Sequence, residues 1–310
     1  MSVSKPRRSY REVDGILLLD KSLGLSSNAA LQQVRDLFAA KKAGHAGSLD
    51  PLATGLLPVC FGQATKVCGR LLDAAKQYRV IVQLGARTES LDGETEVIER
   101  APIPELSQEF VDSTLTGFLG EQDQVPPMHS ALKRDGQRLY ELARRGESID
   151  RPARKIRIRS ITRVGLTADR LEFDVGCSKG TYVRSLAADV AARLGTIGYV
   201  AALRRTGVDP FGLRPMLTID ELKARRGSAG PDSLDSLLLP SDIAFSDLGT
   251  AELDAASEQA LLKGQAAQAV TAAPAVSLRA YSTDGRFLGL VEGQPDGRVR
   301  PVRLFVDTGA

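Results

Sequence analysis

One carboxylate stands out by its surroundings. In the run Gly44-His45-Ala46-Gly47-Ser48-Leu49-Asp50-Pro51-Leu52-Ala53-Thr54-Gly55-Leu56-Leu57-Pro58, Asp50 directly precedes a proline, which biases it toward an extended or turn conformation rather than a helix. Glycines on either side free the backbone for unusual dihedrals and for close approach by a ligand. Leu49, Leu52, Leu56 and Leu57 surround the acid with apolar anchors. A carboxylate on a rigid, partly apolar loop suits nucleophilic attack or proton transfer. The same residue type also caps short helices, so spacing alone leaves both roles open.

Competing chemistries lack their parts. The chain has no Gly-x-x-x-x-Gly-Lys-Ser/Thr phosphate loop, no Gly-x-Gly-x-x-Gly and no Cys-x-x-Cys pair. Cys60, Cys68 and Cys177, with His45 and His129, lack zinc-ligand spacing. Neither a metal nor an organic cofactor is therefore expected. An odd, unpaired set of cysteines suits a reducing, cytoplasmic setting.

The elements that must carry Asp50 can be read around it. Gly15–Asp20 is a short buried strand. Ser26-Ser27-Asn28 offers capping oxygens to a helix with Leu31, Val34, Leu37 and Phe38 on one stripe. Residues 44–63, with Gly44, Gly47, Gly55, Gly62, Pro51 and Pro58, read as a structured loop with a short helical turn. Gln77–Leu84 alternates as a strand, and a helix is expected around Leu106–Leu115. Residues 155–159 alternate strictly, setting Lys155, Arg157 and Arg159 on one face. A strand at 171–177 turns through Ser178-Lys179-Gly180 into a helix bearing Tyr182, Leu186, Val190 and Leu194 and closed by Gly195. Residues 226–240 read as a linker. Beyond them, Asp284-Gly285 and Asp296-Gly297 separate three short apolar runs, the pattern of a small β-meander.

Length and charge set the frame. At 310 residues the chain is long enough for about two domains, and 43% hydrophobic residues suffice for a core in each. No apolar run is long enough to span a membrane, and Met-Ser-Val-Ser-Lys-Pro-Arg-Arg lacks the apolar stretch of a secretory leader. The net charge of +3 conceals an asymmetry: residues 1–230 carry +8 and residues 231–310 carry −5. Within the first part, residues 133–163 alone carry +7, which fits either a nucleic-acid footprint or a solvated ionic surface.

Four ordered blocks give the chain a resemblance to the TruB family, the bacterial tRNA pseudouridine-55 synthases. They are Gly15-Ile16-Leu17-Leu18-Leu19-Asp20-Lys21 with Gly24-Leu25-Ser26-Ser27; Gly44 to Lys66 with its Gly-Ser-Leu-Asp-Pro-Leu-Ala-Thr-Gly core; Lys76-Gln77-Tyr78-Arg79-Val80 leading to Gly85-x-Arg87-Thr88; and Cys177-Ser178-Lys179-Gly180-Thr181-Tyr182-Val183-Arg184. The triplet Leu203-Arg204-Arg205 fits as well. The resemblance implies an α+β fold: a catalytic domain on a mixed, largely antiparallel sheet over 1–235, and a small PUA-like β-barrel over 250–310. It implies that a uridine in the T-arm loop of tRNA is isomerised at position 55 by breaking its glycosidic bond and rejoining the base through carbon.

Residue roles follow from the same resemblance. Asp50 matches the catalytic aspartate and Arg184 the arginine paired with it. Tyr78 matches the ring stacked on the target base, Tyr182 and Leu203 line the uridine pocket, and His45 contacts the RNA. Lys21 is expected as a supporting or phosphate contact, and Asp92 as an acid near the RNA. The basic segment around 124–152 matches a thumb that folds over the RNA, and Lys133, Arg144 and Arg145 within it, with Arg154 just beyond it, are expected as contacts. Its opening differs from the family pattern at His129, where relatives carry tyrosine. The expected partner is tRNA, with no membrane, no metal and a monomeric state. A non-catalytic RNA-folding protein on the same scaffold is the rival, and a hydrolytic N-glycosylase a third possibility.

Overall fold

A computed structural model describes residues 10–128, 145, 149–269 and 275–306, together with the backbone of 133, 134, 137 and 138. Its strands are β1 (Gly15–Lys21), β2 (Ala43–His45), β3 (Ala53–Phe61), β4 (Lys76–Leu84), β5 (Ala86–Thr88), β6 (Val97–Arg100), β7 (Gly120–Gln124), β8 (Lys133–Arg134), β9 (Gln137–Arg138), β10 (Arg154–Leu166), β11 (Arg170–Cys177), β12 (Gly198–Val208) and β13 (Leu217–Thr218). Then come β14 (Gly249–Leu253), β15 (Ala267–Gln268), β16 (Ser277–Ser282), β17 (Phe287–Gly293) and β18 (Arg298–Leu304). The helices are α1 (Ser27–Leu37), α2 (Cys68–Asp73), α3 (Gln108–Thr116), α4 (Val183–Arg193), α5 (Ile219–Arg226) and α6 (Ala255–Leu262).

One nine-stranded sheet runs β13-β1-β3-β12-β4-β11-β10-β7, with β2 added along β3. Its pairings are antiparallel except β1 with β13 and β3 with β12. β1 shows why a continuous apolar run forms here. Leu17 and Leu19 face one core with α1 and α5, while Ile16 and Leu18 face a second core on the opposite side. A strand covered on both faces has no polar side to show. Val80, Val82 and Leu84 of β4 open a third core with α3 and α4.

Two expectations are corrected. The second half of the expected loop at 44–63 is β3, a central strand whose residues are nearly all buried. Gly55 looks like a breaker, but its φ of 96° and the backbone oxygen of Arg205, 2.2 Å from where a Cβ would stand, show a glycine needed for close packing. The expected linker at 226–240 is a 3₁₀ helix over Pro231–Leu237. Its Leu234 is buried in the core against α1 and α5, and Asp235 accepts from Arg11. The cationic face of 155–159 is as expected: Lys155, Arg157 and Arg159 are exposed while Ile156 and Ile158 are buried.

The C-terminal residues form a five-stranded sheet, β14-β16-β17-β18-β15, with its own core around Leu253, Leu261, Leu288 and Val291. The Asp-Gly turns sit where expected, with Gly285 and Gly297 in the left-handed region at φ 82° and 79°. This unit docks on the large sheet through Phe305 and Phe287, which pack with Phe245 in the core that also holds Ile16 and Leu56. Lys66 donates to the Leu304 carbonyl at 2.6 Å across the same seam.

Candidate active site

Asp50 sits on a loop pinned at several separate points. Ser27 Oγ both accepts from the Leu49 N–H at 2.7 Å and donates to the Leu49 carbonyl at 3.0 Å. The Gly24 N–H donates to the Pro51 carbonyl at 2.8 Å, and the Leu52 N–H to Glu94 Oε1 at 3.2 Å. Arg205 Nη2 donates to the Gly47 carbonyl at 2.9 Å. The tandem serines divide the work. Ser26 caps α1 by accepting from the Ala29 N–H, and Ser27, buried, clamps the loop. Ser27→Ala is expected to cost about 1–3 kcal/mol, because two buried backbone groups lose their partner, and to lower turnover. Urea unfolding at unchanged m-value checks it; a stability equal to wild type would show that Ser27 does not hold the loop.

The acid faces one cation. Arg184, near the start of α4 with only 10% of its side chain exposed, places Nη2 3.1 Å from Asp50 Oδ2 and Nη1 3.0 Å from Asp92 Oδ2. Asp50 itself is 49% exposed, open to a ligand. Asp92 is buried and also accepts from Ser90 Oγ at 2.6 Å and the Glu94 N–H at 3.0 Å. Arg184 Nη1 additionally reaches the Ser90 carbonyl at 3.0 Å. One guanidinium thus joins an open carboxylate to a buried one, and the helix N-terminus adds positive potential. Burial pushes the Glu94 carboxyl up from its usual range, and Asp92 adds to that effect.

Four further expected residues take their places on the neighbouring elements. Tyr78 lies on β4 between Val175 of β11 and Arg205 of β12, half-buried against the third core. Burial pushes its phenol up, and Arg205 works in the opposite direction. Leu203 is opposite Val80 on one side and Ala53 on the other, and is also half-buried. Tyr182 caps the start of α4. Its N–H donates to Gln124 Oε1 at 2.8 Å, and its carbonyl accepts from Gln124 Nε2 at 3.1 Å. His45, at the end of β2, has a buried Nδ1 without a hydrogen-bond partner among the described residues. Burial and Arg205 together hold the imidazole below its usual pKa, so it is neutral at pH 7.

Two expectations change. Lys21 is 0% exposed, and its Nζ donates to the carbonyls of Ser22 at 3.0 Å and Leu25 at 2.6 Å. It braces the turn that carries Gly24 and cannot reach a phosphate from there. Burial pulls its ammonium down while Asp50 pulls it up. Asp92, expected near the RNA, is 1% exposed and holds Arg184 from behind instead. The polar run Ser90-Leu91-Asp92-Gly93-Glu94 looks like a solvated turn, and only tertiary packing buries it. In the basic segment, His129 and Arg144 lie outside the described residues, as does the side chain of Lys133. Arg145 is exposed. Arg154, also exposed, opens β10 opposite Gln124, the residue that holds Tyr182.

Ser27, Ser90 and Arg205 hydrogen-bond to the groups around Asp50 and Arg184, at positions that spacing did not single out. Among the described residues, Arg205 is the largest fully buried side chain. A cation in the apolar strand Tyr199–Val208 was the available signal.

The fold and site set a half-exposed carboxylate on a pinned loop beside a buried cation, an arrangement suited to nucleophilic or acid–base chemistry. Three family models tile the chain: the TruB family pseudouridylate synthase N-terminal domain over residues 35–183, the tRNA pseudouridylate synthase B C-terminal domain over 184–246, and pseudouridine synthase II TruB, C-terminal, over 250–305. The chain is 45% identical over 303 residues to tRNA pseudouridine synthase B of Stutzerimonas stutzeri (strain A1501), covering 98% of this chain and 99% of that one. It is 43% identical over 307 residues to the protein of the same name from Vibrio vulnificus (strain YJ016), covering 97% and 98%. Among solved structures, the "Crystal Structure of a Cbf5-Nop10-Gar1 Complex" contains a chain of the same fold, with TM-score 0.71 and 20% identity over 99% of this chain and 92% of that one. The chain belongs to the TruB family of pseudouridylate synthases. Its C-terminal sheet is the PUA-like domain of that family. Among the described residues, no helix is long and apolar enough to cross a membrane.

Proposed function

We propose that the chain isomerises uridine 55 in the T-arm loop of tRNA to pseudouridine, with Asp50 as nucleophile on a flipped-out base. The observation that carries this reading is the half-exposed Asp50, held on a pinned loop and paired with the buried Arg184–Asp92 unit. Binding alone needs neither the pair nor the pinning. In the reaction the N1–C1′ bond breaks and a C5–C1′ bond forms; the C5 proton leaves to solvent and N1 gains one. Asp50 attacks either C1′ or the uracil ring, and both routes need an ionised acid with its own orientation fixed.

The surroundings suit the step that separates base from sugar. Lys21, Lys76, Arg184 and Arg205 are all buried around the Asp50 loop, and a fixed positive field stabilises negative charge developing on a departing uracil. Tyr78 forms the floor on which the base stacks, an interaction of about 1–3 kcal/mol that offsets the few kcal/mol of flipping. Tyr182 and Leu203 complete the pocket, and His45 faces the RNA. The catalytic unit spans 1–235 and the PUA-like unit 250–310. The basic segment at 124–152, with Lys133, Arg144 and Arg145, and Arg154 just beyond it, contacts the T-arm. The protein acts as a cytoplasmic monomer.

Tritium release from tRNA carrying carbon-5-labelled uridine tests the reading. One tritium per tRNA with no free uracil is expected, whereas free uracil would mean a hydrolytic glycosylase and no release a binding protein. The basic segment has its own signature. The logarithm of the tRNA binding constant should fall with that of salt by about 0.7 per single-strand phosphate neutralised. A slope near zero would remove this segment from the interface.

A further inference from the structure

Arg205 is buried to 1% exposure, and among the described residues no carboxylate pairs with it. A guanidinium buried on these terms is costly, so its hydrogen bonds must serve something. Nε donates to the Leu56 carbonyl at 2.6 Å and Nη2 to the Gly47 carbonyl at 2.9 Å. These carbonyls lie on either side of Asp50 in the chain. Arg205 lies in register with Gly55 of β3 on one side and Tyr78 of β4 on the other. It therefore stands between the strand leaving the Asp50 loop and the strand carrying the stacking ring. Gly47, at φ 79°, packs so closely that a Cβ there would meet Nη1 at 3.3 Å.

We propose that Arg205 is a positioning residue for the isomerisation: its fork sets the Asp50 loop through Gly47 and Leu56 and holds the Tyr78 side chain in register with that loop. The inference rests on the proposed uridine chemistry and adds a part to it. The planar fork matters because one side chain must reach two carbonyls in fixed directions, which a lysine's single ammonium cannot do. Arg205 also accounts for the state of its neighbours. Burial pushes down the pKa of His45 and Lys76 and Arg205 adds to that effect, while Arg205 opposes the upward push that burial exerts on Tyr78.

The test compares wild type, Arg205→Lys and Arg205→Met under single-turnover conditions on a tRNA transcript. The expected result is a chemical step slowed by about 10²-fold in Arg205→Met, the scale of a 1 Å misplacement, with tRNA binding within about threefold of wild type. Arg205→Lys, which keeps charge and length, should fold and still lose at least about tenfold. It keeps the proposal falsifiable where the methionine variant does not fold. Carbon-13 NMR of labelled tyrosines, with Tyr78→Phe for assignment, should show the Tyr78 phenol titrating at higher pH in Arg205→Met. A slowed chemical step beside near-unchanged tRNA binding is the split that a merely structural role would not produce. Arg205→Lys turning over at the wild-type rate, or a rate loss matched by an equal loss of tRNA affinity, would overturn the inference. Failure of wild type itself to convert uridine would instead overturn the proposed function.

Discussion

Asp50→Asn is expected to lose pseudouridine formation by at least about 10⁴-fold, the scale seen when a covalent nucleophile is removed, while tRNA affinity stays within severalfold. The structure separates the two effects. Asp50 is half-exposed, and asparagine keeps its shape and one oxygen for the Arg184 hydrogen bond. Arg184 retains its buried partner Asp92, so the variant leaves no unpaired buried charge. Stability should therefore change by about 0.5 kcal/mol or less, as for surface substitutions. The loop keeps its clamps at Leu49, Pro51 and Gly47, since none of them uses the Asp50 side chain. The check is a tritium-release time course beside a filter-binding titration on the same tRNA. A variant that still turns over within tenfold of wild type would remove Asp50 from the chemistry. Equal loss of binding and turnover would favour an RNA-binding role over catalysis.

The loop's chemistry was legible because its constraints are local. A carboxylate before proline among glycines and leucines announces a held acid, and strict alternation announced β4, β10 and β11. What could not be read locally was burial imposed from elsewhere. Gly55 and Pro58 look like breakers, yet β3 runs through both because β1 pairs along its whole length and Gly55 makes room for the Arg205 backbone. The segment after α5 reads as a polar linker, but Leu234 reaches a core built by α1 and β1, two hundred residues earlier in the chain. Lys21 and Asp92 are charged residues whose types predict exposure. Each is buried by a partner group that no spacing rule connects to it: the Leu25 carbonyl for Lys21 and the Arg184 guanidinium for Asp92. The sequence thus showed which residues carry charge but not which of them face solvent.

The Asp92 position allows charge and hydrogen bonding to be separated. Asp92→Ala removes the acceptor for Arg184 Nη1, Ser90 Oγ and the Glu94 N–H together. It leaves Arg184, only 10% exposed, with the half-exposed Asp50 as the carboxylate it pairs with among the described residues, beside the neutral Ser90 carbonyl. Breaking a buried pair in this way costs about 3–5 kcal/mol, and the guanidinium is then free to turn toward Asp50 or away from it. Turnover should fall by about 10²-fold or more from misplacement alone. Asp92→Asn keeps an oxygen for Arg184 and removes only the charge. Its stability loss should be smaller than that of the alanine variant, while its chemical step should remain slow, because the Arg184 charge is now balanced by Asp50 alone and the acid is held as a tighter ion pair. Chemical denaturation and single-turnover rates on the same preparations distinguish the cases. If Asp92→Asn matches wild type in rate, Asp92 acts through hydrogen bonding and packing, and its negative charge has no part in setting the Asp50–Arg184 pair. If it matches wild type in stability yet is slow, the buried charge sets how tightly Arg184 holds the nucleophile.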